Sequence, residues 1–133
     1  MPIEIIAEQN SEGQRILSLK AKDDNKEVVL DVTDTVLREK LCTLALGAFA
    51  ALDGRDYGRI DIRLDSTGAP MFLEANLIPS LLRDYGNFIK ASRINANLEY
   101  EDVIQTIVDL AFGRTLYNDK PPAMPFASEL IHV

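Results

Sequence analysis

Residues 58–64, Gly-Arg-Ile-Asp-Ile-Arg-Leu, and residues 71–76, Met-Phe-Leu-Glu-Ala-Asn, flank the short stretch Asp65, Ser66, Thr67 and Gly68. No other feature of the chain constrains its fold so tightly. Arg59, Asp61 and Arg63 alternate with Ile60, Ile62 and Leu64, the period of a strand with one face buried and one face wet. The intervening residues are turn formers, so the two segments read as a β-hairpin. With Asp65 opposite Pro70 across a four-residue loop, Asp61 faces Glu74 and Arg59 faces Asn76, and all four polar groups share one face. Two carboxylates directly opposed repel, so a cation is expected between them.

Two cations fit that requirement. Arg63, diagonal to Glu74, would make a surface ladder of charges worth about 0–1 kcal/mol that needs no function. Alternatively the pair holds Mg²⁺, a hard ion that takes oxygen from one or two carboxylates and fills its octahedron with water and phosphate oxygens. In that reading Asn76 offers an amide oxygen one pleat along. Arg59, permanently charged and fork-shaped, would face a phosphoryl group or oxyanion beside the metal.

The rest of the chain supplies a setting for the hairpin. Residues 3–8 and 15–20 read as strands around a turn at 9–13 that contains Asn10, Ser11 and Gly13. Asp34 can cap a helix whose apolar stripe includes Leu37, Leu41, Ala45, Phe49 and Leu52, with Gly54 as its stop. That stripe can receive Ile60, Ile62 and Leu64. A second amphipathic helix is expected over residues 97–112, with Val103, Ile104, Ile107, Val108 and Ala111 inward and Gly113 as its stop. The Pro-containing residues 115–133 have no periodicity and read as a surface or disordered tail. The expected fold class is α+β: an antiparallel sheet of about four strands with two main helices packed on one face, formed by residues 1–114.

Composition narrows the function classes. The chain has 133 residues and is 47% hydrophobic, enough for one modest core. A net charge of −7 argues against nucleic acid as a partner, because phosphate-backbone binding relies on clustered Lys and Arg. The apolar run at 41–52 is too short to span a bilayer and no signal-peptide pattern opens the chain, so a cytoplasmic protein is expected. Cys42 is a lone cysteine on an apolar helix and reads as a small buried hydrophobe. His132 is the only histidine, which leaves no material for histidine triads or multi-histidine metal sites.

Arg59 and Asp61, then Phe72-Leu73-Glu74-Ala75-Asn76, then Pro79-Ser80-Leu81, together resemble the C-terminal half of an ATP-grasp ligase of the D-alanine–D-alanine ligase type. Upstream, Pro2 to Ile5 are similar to a strand that opens this half. Leu17 to Lys22 resemble a segment that sends a lysine to the nucleotide phosphates, here Lys22. Downstream, residues 98–104 resemble the terminal helix, so the resemblance covers about residues 1–114. It implies ATP and Mg²⁺ (or Mn²⁺) as cofactors, Asp61, Glu74 and Asn76 as metal ligands, Arg59 as the group stabilising the transition state, and Lys22 as a nucleotide contact.

Two departures from the family shape the expectation. Ligases of this type carry an upstream half with a glycine-rich loop over the phosphates, and nothing in these residues corresponds to it. Ser80 stands where the family often has Gly before a carboxylate-binding Ser, so the substrate amino acid is not specified. Residues 81–88 read equally as a substrate loop, with Arg83 offering a fork to a carboxylate, or as a plain connection. Three functions follow. The chain is the C-terminal portion of an ATP-dependent carboxylate–amine ligase acting on nucleotide and amino-acid or peptide-like substrates; or a stand-alone metal- and nucleotide-binding module without turnover, working beside a separate chain or as a homo-oligomer; or a structural domain whose acidic hairpin is a salt ladder.

Overall fold

The structure, a computed structural model, describes residues 1–6, 28–83, 85–116 and 131–132. Its strands are β1 (Pro2–Ile6), β2 (Val28–Asp31), β3 (Arg59–Leu64), β4 (Pro70–Asn76) and β5 (Ile131–His132), and its helices are α1 (Thr35–Ala51), α2 (Asn87–Ala96) and α3 (Tyr100–Leu116). β1 with β2 and β3 with β4 form two antiparallel ladders. The two-residue β5 lies between them and runs parallel to both β1 and β3, giving the order β2-β1-β5-β3-β4.

The fold is therefore α+β, but two features of the expected sheet are corrected. Among the described residues it is not a continuous antiparallel four-stranded sheet, since the two ladders meet through a parallel strand from the stretch read as a tail. The partner of β1 is β2, while the expected strand 15–20 lies outside the described residues. The second correction concerns the helices, which do not share one face. Val29 of β2 packs in a cluster with Met1, Ile3, Phe88, Ile89, Ala91 and Val103, whereas Val32 packs in another with Leu41, Ala45, Phe49, Ile60 and Ile62. Positions 29 and 32 differ by an odd step, so the extended chain presents them to opposite faces. Thus α1 covers one face and α2 with α3 covers the other.

Local chemistry fixes the helix ends. The Oδ1 of Asp34 accepts from the backbone N–H groups of Val36 and Leu37, each at 2.9 Å, and caps α1. The left-handed residue after α1 is Asp53, not Gly54. Gly54 is there for space: a Cβ at that position would lie 2.6 Å from the Phe49 ring. The helix expected over 97–112 is α3, shifted to Tyr100–Leu116, and a separate helix, α2, precedes it. Asn97 adopts a left-handed φ of 53° and ends α2, and the carboxylate of Asp102 accepts from Glu99 N–H at 2.9 Å to open α3. α3 runs through Gly113 to Leu116, and Val108, expected inward, is 39% exposed. Among the described residues no helix is long and apolar enough to cross a membrane.

Candidate functional site

The β3–β4 hairpin begins from a well-determined turn. The Oδ1 of Asp65 accepts from Thr67 N–H at 2.8 Å, Thr67 Oγ1–H at 2.7 Å and Ala69 N–H at 2.9 Å, and Gly68 takes a φ of 81°. These bonds, that from the Thr67 hydroxyl foremost, hold the Asp65 carboxyl below the usual range. On the inner face Ile60 and Ile62 are buried against Leu41, Ala45 and Phe49 of α1.

The pairing expected at the charged end is the one found: Arg59 opposite Asn76 and Asp61 opposite Glu74. Nearer the turn the register differs by one residue, with Ile62 opposite Phe72, Arg63 opposite Met71 and Leu64 opposite Pro70. Leu73 is the extra residue of a β-bulge. Its effect on the site is large. Continued without the bulge, the turn-end register would set Leu73 opposite Asp61 and turn Glu74 toward the α1 side, because a one-residue slip reverses every side chain.

The cation between the carboxylates is Arg59 rather than Arg63. Its Nε and Nη2 donate to Oδ1 and Oδ2 of Asp61 at 2.7 and 2.9 Å, a two-pronged contact, and Nη2 lies 3.6 Å from Oε1 of Glu74. Arg59 and Asp61 are only 20% and 23% exposed, whereas Glu74 is 65% exposed. The amide oxygen of Asn76 accepts from Ile78 N–H at 3.0 Å, which fixes its orientation at the strand end. Among the described residues no three His, Cys, Asp or Glu gather. Two carboxylates and an amide oxygen make a partial donor set, of the kind a Mg²⁺ completes with water and phosphate oxygens.

Two packing features that periodicity does not disclose position this site. Gly58 is buried, and a Cβ there would lie 2.5 Å from the Phe49 ring, so α1 sits directly against the residue that precedes Arg59. Tyr57 meets Phe88 of α2 edge to face, with ring centroids 5.5 Å apart. The entry to β3 is thus held from both sides. The glycine directly before Arg59 is the one sequence signal for the first contact, and none announces the second.

The segment after β4 is a connection for most of its length. Leu81 and Phe88 pack in the cluster of α2 and α3. Arg83 is engaged rather than presented to a substrate: its guanidinium donates to Oε1 of Glu101 and lies 4.3 Å from the centroid of the Tyr100 ring. The Arg83 hydrogen bond holds the Glu101 carboxyl below its usual range. Lys22 lies outside the described residues.

With this geometry in view, comparison with known proteins is specific. The profile of the family described as D-ala D-ala ligase C-terminus matches residues 4–109. The D-alanine--D-alanine ligase of Dechloromonas aromatica is 36% identical over 67 residues, 50% of this chain and 22% of that protein. That of Halothermothrix orenii is 31% identical over 93 residues, 69% of this chain and 26% of the ligase. An uncharacterized protein of Sinorhizobium fredii is 35% identical over 86 residues, 62% of this chain and 25% of the relative. The chain spans about a quarter of the length of these relatives. No solved structure matches it significantly. Since the family profile covers well over half of its residues, this chain belongs to the D-ala D-ala ligase C-terminus family.

Proposed function

We propose that the chain is the C-terminal portion of an ATP-dependent carboxylate–amine ligase and provides its Mg²⁺–ATP phosphate site on the β3–β4 hairpin. The observation that carries this reading is the opposition of Asp61 and Glu74 across the ladder with Arg59 on the same face. Asp61, Glu74 and Asn76 would hold Mg²⁺ or Mn²⁺, and Lys22 would reach the nucleotide phosphates. A bound divalent ion would supply charge neutralisation at phosphoryl oxygens. Arg59 stabilises negative charge developing on the transferred group, which a rigid, permanently charged fork does with little reorganisation. The amine and carboxylate substrates are amino acids or peptides, and the setting is the cytoplasm.

Manganese titration of the 133-residue chain, with and without ATP, tests the site. Weak Mn²⁺ binding that strengthens with ATP and disappears in Asp61→Asn and Glu74→Gln is expected. Unchanged binding in both variants would overturn it. The reading also predicts that these 133 residues alone release no phosphate from ATP with D-alanine or related amino acids. Acyl-phosphate chemistry requires reactants held in register away from water, and Glu74 at the site is 65% exposed. Turnover abolished by Arg59→Ala would contradict that prediction.

A second reading is a metal- and nucleotide-binding module without turnover, whose cleft is completed by another chain or by a second copy of itself. Restored phosphate release on adding the remainder of such a ligase as a separate polypeptide distinguishes the first reading from it.

A further inference from the structure

We propose that Arg59 is a latch on the metal site: its guanidinium occupies the cation position between Asp61 and Glu74, and must leave Asp61 before a divalent ion can bind there. The inference rests on the phosphate-site reading above and adds a regulation to it. Both oxygens of Asp61 are already used by Arg59, at 2.7 and 2.9 Å, and the same guanidinium reaches toward Glu74 at 3.6 Å. A divalent ion arriving alone would therefore meet a fixed positive charge at the position it needs. It would also meet a carboxylate each of whose oxygens already accepts from Arg59.

The latch has no way to open by titration, because a guanidinium keeps its proton throughout the ordinary pH range. It opens only by movement, and movement requires a replacement acceptor. Arg59 and Asp61 are three-quarters or more shielded from water, so the guanidinium loses a two-pronged charged contact if it swings away unaided. A phosphoryl anion brought with the metal supplies that acceptor. Metal and phosphate should consequently favour each other at this site, each raising the affinity of the other by the same factor. The resting protein then keeps its carboxylates neutralised and takes up metal together with nucleotide, not ahead of it.

The test measures Mn²⁺ binding by electron paramagnetic resonance, with Mn²⁺ alone as the probe. Arg59→Gln removes the charge and should bind Mn²⁺ about fivefold or more tightly than the parent chain, the lower end of ordinary coupling between sites. Arg59→Lys keeps the charge and should stay near the parent. Adding Asp61→Asn to Arg59→Gln should erase the gain, which assigns it to this site. Equal or weaker Mn²⁺ binding in Arg59→Gln, with Asp61 still required, would overturn the latch and leave the phosphate-site reading intact. No Mn²⁺ binding by any of these proteins, with or without ATP, would remove both. Should Arg59→Gln fail to fold by circular dichroism, the parent chain decides: its Arg59 Nε–H resonance should move on saturation with Mg²⁺–ATP, and an unmoved resonance overturns the latch.

Discussion

The two apolar clusters of this molecule are built in opposite ways. The cluster under the hairpin joins Val32, Leu41, Ala45 and Phe49 to Ile60 and Ile62, a nearly continuous run of chain. The cluster on the other face joins Met1 and Ile3 to Phe88, Ile89, Ala91 and Val103, across more than eighty residues of sequence. Only the first is a local helix–hairpin unit, and the site stands on the hairpin of that unit. The second cluster supports the site from the side, through Tyr57 against Phe88. The charged face therefore owes its register to a local unit, while its surroundings depend on contacts between distant segments.

Emptying each cluster in turn gives the largest effects. Phe49 is 6% exposed, and Phe49→Ala should cost about 3–5 kcal/mol in denaturant unfolding. Ile3 is fully buried, and Ile3→Ala should cost about 2–5 kcal/mol. If the local unit governs the site, a partly stable Phe49→Ala protein loses Mn²⁺ binding while Ile3→Ala keeps it at temperatures where it remains folded. Equal loss in both would show that the two clusters act as one cooperative support.

A narrower probe of the local unit is Gly58→Ala. The added methyl would be driven to 2.5 Å from the Phe49 ring, an overpacking that should cost about 1–3 kcal/mol. It should also displace the start of β3, so weaker Mn²⁺ binding is expected than in a surface control of equal stability. Full stability in this variant would show that the Phe49 ring yields freely.

Arg38 tests the link between the two faces. From α1 its guanidinium donates to Asp31 Oδ1 at 2.9 Å, to the Val32 carbonyl at 3.3 Å and to Asn95 Oδ1 of α2 at 2.6 Å, while Asn95 Nδ2 donates to the Pro2 carbonyl at 3.3 Å. Arg38→Ala should cost about 1–2 kcal/mol, mainly from polar groups left without partners at a half-buried seam. Unfolding that splits into two transitions in this variant would sharpen the distinction between the clusters. A coincident single transition with unchanged midpoint would break it.

How much of this was legible depended on distance along the chain. The charged-face pairing could be read, though the assumed loop reaches it only because the bulge at Leu73 offsets a one-residue difference at the turn, where Leu64 rather than Asp65 faces Pro70. The bulge could not, because Phe72 and Leu73 are both apolar and nothing in their types says which is supernumerary. Asp34 announces α1 through its carboxylate, but Gly86, which precedes α2, carries no side-chain cap, and buried Ser92 hides the helical face by looking polar. Its hydroxyl is satisfied within the helix, donating to the Phe88 carbonyl at 3.1 Å. Two residues of β5 are too few to show a period. Charge balance requires a cation at the site, yet its identity depends on side-chain reach: the sequence points to Arg63 or Mg²⁺, and Arg59 reaches along its own strand.

The smallest expected effect concerns pH at the far end of the hairpin. Asp65 has its carboxyl held below the ordinary value, first by the Thr67 hydroxyl and then by backbone N–H groups of Ala69 and Thr67. A depressed native value stabilises the folded chain above the ordinary carboxylate pKa, and the contribution is lost as pH falls through the native value below it. Asp65→Asn should therefore flatten the acid limb of stability below about pH 4 and leave the Mn²⁺ affinity of the charged end unchanged. Thermal melts in steps from pH 6 to pH 2 would read the first expectation, and manganese titration at neutral pH the second. A change in Mn²⁺ affinity would mean that the turn transmits register past the bulge at Leu73 to Glu74. An unchanged affinity with a flattened acid limb would show the bulge absorbing what happens at the turn, so that the two ends of one hairpin are set independently: the turn by Asp65, and the site by Gly58 packed on Phe49.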